Sequence, residues 1–312
     1  MRVSVVVPVR DEEESLPALL ESLLDQSLAP EEILIIDGGS RDGTVACAHR
    51  HADRGVRVME IGPAYPGRGR NEGIKAARNP WIALIDAGCV PERQWIEALV
   101  STLSKDRKAC VVFGQVVPKL ESEWDVAQAL SLVSSVDPRD GCRAPFIASC
   151  LLHRSIWETV GGFPEHLRAA EDLVFFDRVD NAGISTSRSS QAVVHWTLAK
   201  DPRAIFKRLR LYSAHHLSAG LSHTWHRRVF IMDAIAVSLL AAAAFWPLAM
   251  ALLAMGAIGR VLRTIGRRKA NVMDGQAFRY DRVARVAVLL LLADLAAWAG
   301  AADFMWRRKM IQ

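Results

Sequence analysis

Two carboxylates near the N-terminus each follow a short apolar run, and both could bind a nucleotide and its metal ion. Asp37 comes directly after residues 33–36, and Asp86 comes after residues 82–85. Each run is continuous rather than alternating, which indicates a buried strand of a parallel sheet. Ligands of open α/β sheets bind outside the carboxyl ends of the strands. We therefore expect the two carboxylates to share a crevice that holds a nucleotide with its metal.

The elements that position these acids follow a repeating order. Apolar runs and turn residues predict an alternation of strands and helices, which implies a parallel sheet with right-handed crossovers. Residues 120–150 give no clear pattern. The predicted strands are 3–9, 33–36, 56–61, 81–85, 110–117 and 193–196, and the predicted helices are 15–26, one opening at Thr44, 70–78, 94–103, 154–160 and 171–182.

Composition narrows the class of protein. The 312-residue chain has a formal net charge of +5, which suits an anionic membrane surface or phosphorylated substrates. Its five cysteines form no C-x-x-C pair, which argues against a disulfide framework or a zinc site. No secretory signal is visible at the start, so we expect the N-terminal part to lie in the cytosol.

Apolar residues concentrate in the last third of the chain. Residues 230–258 and 286–306 are each long enough to cross a bilayer, which takes about 20 residues. We therefore expect a catalytic domain over residues 1–225 and a membrane-associated helical region over residues 226–312. The arginine-rich loop 259–285 would lie outside the cell if both segments span, against the positive-inside rule. Two spans and a monotopic arrangement, as a re-entrant hairpin or as interfacial helices, both stay open.

Other ligand-binding motifs are missing from the sequence. The glycines at 38–43 do not spell G-x-G-x-x-G, and those at 62–67 are not followed by Gly-Lys. The basic segments lack the interleaved aromatic residues typical of nucleic-acid binding. These patterns disfavour a dinucleotide oxidoreductase, a P-loop enzyme and a nucleic-acid partner.

Six short motifs follow one another in order over about residues 1–200. They are Val6-Val7-Pro8-Val9-Arg10-Asp11-Glu12, Ile36-Asp37-Gly38-Gly39-Ser40-Arg41-Asp42-Gly43-Thr44, Arg70-Asn71-Glu72-Gly73, Leu84-Ile85-Asp86-Ala87-Gly88-Cys89, Gly161-Gly162-Phe163 and Glu171-Asp172. This ordered set resembles the family 2 glycosyltransferases. The resemblance implies an α/β GT-A fold with a doubly wound, mostly parallel sheet, a nucleotide-diphosphate sugar donor (a UDP-sugar is favoured), inversion at the anomeric carbon, and Mn²⁺ or Mg²⁺ as cofactor.

The same resemblance assigns candidate site residues. Asp172 is the expected general base, with Glu171 as the alternative, and Asp86 with His195 would bind the metal. Position 88 departs from the family's D-x-D metal motif, because it holds Gly instead of Asp. The expected donor-binding residues are Pro8, Arg10, Glu12, Asp37, Gly39, Arg68, Arg70, Asn71, Asp86 and Ala87.

The functional expectation is a membrane-associated glycosyltransferase at the cytoplasmic face of the inner membrane, working in cell-envelope polysaccharide synthesis. It would transfer a single sugar to a lipid-linked or glycan acceptor, since the Q-x-x-R-W motif of processive synthases is absent. Two alternatives remain at this point. One is a nucleotidyltransferase on a related fold. The other is a non-catalytic membrane scaffold with a degenerate transferase domain, which Gly88 leaves open.

Overall fold

The computed structural model describes residues 1–222, 225–272 and 275–311. The chain divides into two compact units. The first, called here the sheet unit, contains residues 1–119 and 137–197, and the second, the helical unit, contains residues 120–136 and 198–312. The division into a catalytic domain over residues 1–225 and a membrane-associated region over residues 226–312 stays a prediction.

The described part of the sheet unit contains eight strands. They are β1 (Val3–Val9), β2 (Glu32–Asp37), β3 (Val56–Glu60), β4 (Trp81–Leu84), β5 (Cys89–Pro91), β6 (Val111–Pro118), β7 (Cys150–His153) and β8 (Thr186–Trp196). They form one mixed sheet in the order β3-β2-β1-β4-β7-β6-β8-β5. The first four strands in this order pair in parallel, whereas β7 is antiparallel to both β4 and β6.

Six helices connect the strands of this unit and confirm the predicted α/β alternation. They are α1 (Leu16–Leu24), α2 (Thr44–His49), α3 (Pro66–Ala76), α4 (Trp95–Lys105), α6 (Arg154–Val160) and α7 (Glu171–Asn181), counted over the described residues, while α5 (Glu123–Ser131) belongs to the helical unit. Apolar cores lie in two clusters of this unit, and the side chains of β1 and β2 contribute to both. The parallel strands are therefore buried on both sides, as continuous apolar runs predict.

The predicted start of one helix is wrong. The helix expected over residues 70–78 begins at Pro66, and Pro is well tolerated at a first helical position. The glycines of α3 are typical of a loop in the sequence, but in the structure they are needed for packing against β1. A Cβ at Gly73 would lie 2.3 Å from Val6 Cγ1, and a Cβ at Gly69 would lie 2.9 Å from Pro8 Cβ. Glycine thus allows α3 to approach β1 closely.

The helical unit contains α5 and four longer helices that follow the sheet unit. They are α8 (Pro202–Ser218), α9 (His226–Ala242), α10 (Pro247–Arg268) and α11 (Tyr280–Ile311). The sequence did not predict α8, and the apolar segment 230–258 is not one helix but belongs to α9 and α10, with a break at residues 243–246. Two helical stretches are long and apolar enough to cross a membrane, Pro247–Asn271 and Tyr280–Lys309, in a search of the described residues.

Candidate active site

A buried arginine joins two regions of the sheet unit that are far apart in sequence. Arg70 on α3 donates one hydrogen bond to Glu171 at the start of α7, and a second, of 2.7 Å, from Nη2 to Oδ1 of Asp86. The Arg70 guanidinium also lies 5.6 Å from the centre of the Phe163 ring. Arg70, Asp86, Glu171 and the neighbouring Asp172 are called here the arginine–carboxylate cluster.

The charges in this cluster support one another. Burial by itself would lower the pKa of Arg70, but the charges of Asp86, Glu171 and Asp172 outweigh it, so the pKa lies above its ordinary value. Arg70 therefore stays protonated although it is only 3% exposed. A buried charge is stable only when it is paired and hydrogen-bonded. The cluster is thus a unit in which each charge depends on the others.

The two adjacent acids at the start of α7 differ in their surroundings. Glu171 is buried and accepts the Arg70 hydrogen bond, whereas Asp172 is half-buried and accepts a 2.9 Å hydrogen bond from the backbone N–H of Leu173. Burial, followed by the neighbouring charge of Glu171, raises the pKa of Asp172 to about 6, although the Arg70 charge acts in the opposite direction. A carboxylate with such a pKa is suited to accept a proton near neutral pH.

The backbone before α7 is shaped to present these acids. Ala170 precedes the helix in the left-handed region at φ 66°, which is uncommon for a residue with a Cβ. Gly161 and Gly162 also have positive φ, at 84° and 71°. A Cβ at Gly67 on α3 would lie 2.3 Å from the carbonyl oxygen of Pro164, so this loop and α3 are in close contact.

Asn71 fastens this loop to α3. Its amide nitrogen donates to the Phe163 carbonyl and to Oε1 of Glu165, both at 2.9 Å. Its amide oxygen accepts from the Phe163 N–H at 2.9 Å and from the Trp157 indole at 2.8 Å. These four bonds use the whole capacity of an amide side chain. Asn71 therefore positions the loop that leads to α7, and direct contact with a donor stays a prediction.

Sequence reasoning missed the partners of Asn71. Trp157 and Glu165 carry no motif of their own, and Gly161-Gly162-Phe163 was one of the family motifs but had no assigned role. The role of Trp157 is visible only in the structure, where its indole N–H donates to the Asn71 amide oxygen. The aromatic character of Phe163 was the available signal, because a ring under a buried guanidinium stabilises the cation.

Asp37 lies at the end of β2, beside the end of β1, as the sequence predicted. Its carboxylate accepts hydrogen bonds from the backbone N–H groups of Gly39 at 3.0 Å and Ser40 at 3.2 Å. Gly39 has a φ of 83°, which a turn this tight requires. Asp37 thus shapes the turn after β2, and its proposed contact with a nucleoside would use the remaining capacity of its oxygens.

The loops after β1 and β2 are joined by reciprocal hydrogen bonds. The Asp11 N–H donates to Ser40 Oγ at 2.9 Å, and the Arg41 N–H donates to Asp11 Oδ1 at 2.8 Å. The Glu12 N–H donates to Thr44 Oγ1 at 2.8 Å. This rim at the carboxyl ends of two neighbouring strands is the expected place for a nucleotide.

The remaining expected donor-binding residues lie near these strand ends or on α3. Pro8 is near the end of β1 and faces Gly69 of α3. Arg10 is exposed, with its Nε 3.9 Å from Asp11 Oδ2. Arg68 is exposed in the first turn of α3, and Ala87 is buried directly after Asp86. These positions do not test a contact with the donor, so the roles of the four residues stay predictions.

The expected metal ligands differ in availability. Asp86 has a side chain 35% exposed and accepts from Arg70 through Oδ1. His195 lies across the β5–β8 pair from Val90, and its Nε2 is 3.0 Å from Glu92 Oε1. Over residues 1–222, 225–272 and 275–311, no three His, Cys, Asp or Glu side chains gather to hold a metal. This donor set fits an ion bound by Asp86 and by phosphate oxygens of a donor, because Mg²⁺ and Mn²⁺ prefer oxygen ligands.

The mixed sheet with acids at its strand ends is the GT-A fold of nucleotide-sugar transferases. A solved structure, the mannosyltransferase PcManGT from Pyrobaculum calidifontis in complex with GDP-Man and Mn²⁺, covers 98% of this chain and 87% of its own with a TM-score of 0.68. The two sequences are 19% identical, so this likeness shows the fold. The predicted fold class is confirmed.

The sequence comparisons point to the same family as the motifs. The model of Glycosyl transferase family 2 matches residues 4–141 of this chain, which supports the predicted resemblance. Glycosyltransferase AglE from Haloferax volcanii is 27% identical over 191 residues, which are 59% of this chain and 62% of that protein. O-antigen chain rhamnosyltransferase RfbN from Salmonella typhimurium is 23% identical over 248 residues, 74% of this chain and 76% of that protein. The predicted enzyme class is therefore confirmed.

Proposed function

We propose that this glycosyltransferase moves a single sugar from a nucleotide-diphosphate sugar to a lipid-linked or glycan acceptor, with inversion at the anomeric carbon. The observation that carries the proposal is the arginine–carboxylate cluster, which holds an acid of raised pKa beside a strand-end carboxylate. The relative RfbN is named for the O-antigen chain, which supports an acceptor of the cell envelope. We place the reaction at the cytoplasmic face of the inner membrane.

In this proposal Asp172 is the general base. The acceptor hydroxyl oxygen attacks the anomeric carbon, its proton passes to the Asp172 carboxylate, and the bond from the anomeric carbon to the diphosphate oxygen breaks. The raised pKa of about 6 favours Asp172 over Glu171, because Glu171 is buried and already accepts from Arg70. Glu171 then holds Arg70 in place, which is a positioning role.

The donor would lie along the rim formed by the carboxyl ends of β1, β2 and β4. Asp37 would accept from the base or the ribose, and Arg68 would approach the diphosphate, since arginine pairs well with phosphate oxygens. A UDP-sugar stays the favoured donor, while the similar mannosyltransferase structure holds GDP-Man. The other residues proposed for donor binding are Pro8, Arg10, Glu12, Gly39, Arg70, Asn71, Asp86 and Ala87.

A divalent ion, Mn²⁺ or Mg²⁺, would neutralise the leaving diphosphate. Asp86 is the proposed protein ligand, and the PcManGT structure, which contains Mn²⁺, supports the use of a divalent metal. His195 stays a second candidate, although its imidazole is engaged by Glu92. With Gly88 in place of the second acid, the donor's own phosphates would supply the additional oxygens.

A nucleoside diphosphate is expected to raise the melting temperature, because it binds the folded protein. Mn²⁺ is expected to increase this rise, because it would bind together with the nucleotide. Asp86→Ala should abolish most of the metal-dependent increment, because it removes the proposed carboxylate ligand. The measurement is thermal unfolding with UDP or GDP, each with and without Mn²⁺. Glu72→Ala, which removes a half-buried acid of α3 that pairs with Lys75, is the matched control. An increment unchanged in Asp86→Ala would exclude Asp86 as a ligand.

We also propose that the helical unit attaches the enzyme to a membrane. Many large apolar side chains on α9, α10 and α11 are exposed, a pattern that marks membrane or protein contact. The full-length protein is expected to remain in the membrane fraction after high salt and alkaline carbonate and to need detergent for extraction. Release by salt alone would show that basic charge, and not apolar insertion, holds the protein.

A further inference from the structure

We infer that α9 and α10 form a hairpin that enters a single membrane leaflet from the cytoplasmic side, with Phe245 and Trp246 at its deepest point. This inference rests on the proposed membrane association and adds its geometry. The two helices pack against each other and are joined by residues 243–246. Phe245 at the turn is 93% exposed and Trp246 is 53% exposed.

The length of the apolar arms decides against a crossing. Residues 229–242 of α9 and 247–259 of α10 are each about 20 Å long at ~1.5 Å of rise per residue. A crossing requires about 30 Å of apolar length. Arms of this length reach roughly to the bilayer midplane and return. Pro247 at the first position of α10 suits such a turn, because its missing N–H would have no helical partner there.

Charge is concentrated at the open end of this hairpin. Arg227 and Arg228 precede the apolar arm of α9, and Arg263 and Arg267 follow that of α10. All four are exposed, and within the described residues no ion pair involves them. A shallow depression of about 280 Å³ at this end is lined by Arg227, Arg228, Ile231 and Met232. Cationic and apolar side chains side by side are complementary to an anionic lipid headgroup and its acyl chain.

Charged groups on the apolar arms are confined to this same end. Asp233, about two turns into α9, accepts a 2.8 Å hydrogen bond from the Trp298 indole. Arg260, directly after the apolar arm of α10, binds both oxygens of Asp294 on α11. The outer part of the hairpin carries no charged residue between 234 and 259. A lipid environment is therefore compatible with the part of the hairpin between residues 234 and 259.

The helix α11 does not fit a separate span, because α8 lies along it. Arg210 of α8 binds Asp303 through two hydrogen bonds of 2.7 Å, and Ser213 donates to the Ala297 carbonyl at 2.8 Å. A Cβ at Gly300 would lie 2.5 Å from the Arg210 carbonyl oxygen. If α11 crossed the bilayer, the charged helix α8 would enter it as well, and charged side chains at the bilayer centre are strongly unfavourable.

The other end of α11 is also covered by polar partners. Arg282 donates to Glu123 of α5 at 2.9 Å, and Arg279 donates to the same carboxylate at 2.8 Å. Val286 and Leu289 are fully buried in the core that α11 shares with α5 and α8. The helix α11 is thus packed against α5 and α8 within the helical unit, and the hairpin is the element that enters the leaflet.

The inference predicts that residue 269 lies on the cytoplasmic side of the membrane, and cysteine labelling tests this prediction. Lys269→Cys is placed in the full-length protein, and intact spheroplasts are treated with a membrane-impermeant maleimide. We expect labelling only after permeabilisation, as for Ser104→Cys in the sheet unit, which is the matched internal control. Labelling of Lys269→Cys in intact spheroplasts would show that α10 crosses, and would overturn the inference while leaving membrane attachment intact.

Vesicle binding tests the depth of the tip. The double variant Phe245→Asp/Trp246→Asp should bind vesicles of phosphatidylcholine and phosphatidylglycerol at least tenfold more weakly, since two large apolar side chains leave the bilayer. Phe278→Asp, at a site 50% exposed outside the hairpin, should bind as the unaltered protein does. Arg227→Glu/Arg228→Glu should weaken binding to the anionic vesicles but not to pure phosphatidylcholine.

Two further outcomes would overturn the inference. Equal vesicle binding by the tip variant and the unaltered protein would show that the tip is not inserted. A tip variant that changes the protein from an oligomer to a monomer, with vesicle binding retained, would show that a second copy covers the hairpin. Loss of all membrane association in the unaltered protein would instead refute the proposed attachment itself.

Discussion

Replacing Asp172 by Asn is expected to reduce the rate of sugar transfer by about a hundredfold or more, while nucleotide affinity changes little. The amide keeps the shape of the side chain but cannot accept the proton of the acceptor hydroxyl. The measurements are kcat at saturating donor and the Kd of the nucleoside diphosphate. Asp180→Asn, an exposed acid on the same helix, is the matched control and should be fully active.

The same group should govern the pH dependence of the unaltered enzyme. Because burial and the Glu171 charge raise the pKa of Asp172 to about 6, kcat/KM should fall below about pH 6 as the base becomes protonated. Glu171→Gln should move this acidic limb to lower pH, because one of the charges that raise the pKa is removed. An acidic limb at the same pH in Glu171→Gln, together with an active Asp172→Asn, would refute the base assignment.

Stability gives a readout of Asp172 that is independent of catalysis. Its pKa is higher in the folded protein than the ordinary value of 3.8, so the folded state binds more protons between about pH 4 and pH 6. The contribution of Asp172 to the free energy of unfolding therefore decreases as pH rises through this window. Asp172→Asn should be more stable than the unaltered protein at pH 7, by roughly 1–2 kcal/mol for a half-buried group, and the difference should disappear below about pH 4.

The first half of the sheet could be predicted because its local signals agree with its final environment. Val3–Val9 is a strand with the predicted bounds, and its continuous apolar run matches burial on both sides. The antiparallel β7 was missed, since its four residues follow an irregular stretch and give no period. The start of α3 was misplaced because glycines that serve close packing look like a loop in sequence.

The candidate site shows the same division between local and long-range information. Short sequence patterns were enough to identify Asp37 and Asp86 as candidates, because each follows a predicted strand. Glu171 and Asp172 were identified in the same way at the start of a predicted helix. That Arg70 joins the two regions, across 101 residues, depends on tertiary packing that no local pattern contains. The same holds for Asn71, whose motif suggested a donor contact while its amide is used to position a loop.

Removing the charge of Arg70 is expected to produce the largest loss of stability. Arg70→Met leaves the buried Glu171 without its hydrogen-bond donor and removes a partner of Asp86, and an uncompensated buried charge costs about 3–5 kcal/mol. The measurement is urea unfolding at pH 7. Arg68→Met, two residues away on the exposed side of α3, is the matched control and should change stability by less than about 0.5 kcal/mol.

Three further variants separate the charge of Arg70 from its shape. Arg70→Lys keeps the charge, but an ammonium lacks the planar fork that reaches two carboxylates at once, so its stability should fall between those of the unaltered protein and Arg70→Met. Arg70→Met/Glu171→Met removes both buried charges and should recover much of the loss. Glu171→Met alone keeps Arg70 paired with Asp86 and should therefore lose less than Arg70→Met. Equal stability of Arg70→Met and its double variant would show that Glu171 does not depend on Arg70.

The pH profile should report the Arg70 charge separately from stability. The Arg70 charge lowers the pKa of Asp172, so Arg70→Met alone should raise that pKa further above 6 and shift the acidic limb of kcat/KM upward. In Arg70→Met/Glu171→Met the loss of the Glu171 charge, which is the larger of the two effects, acts in the opposite direction, so the acidic limb should return to its position in the unaltered enzyme or move below it. An acidic limb that does not move in Arg70→Met would mean that the Arg70 charge serves the fold alone.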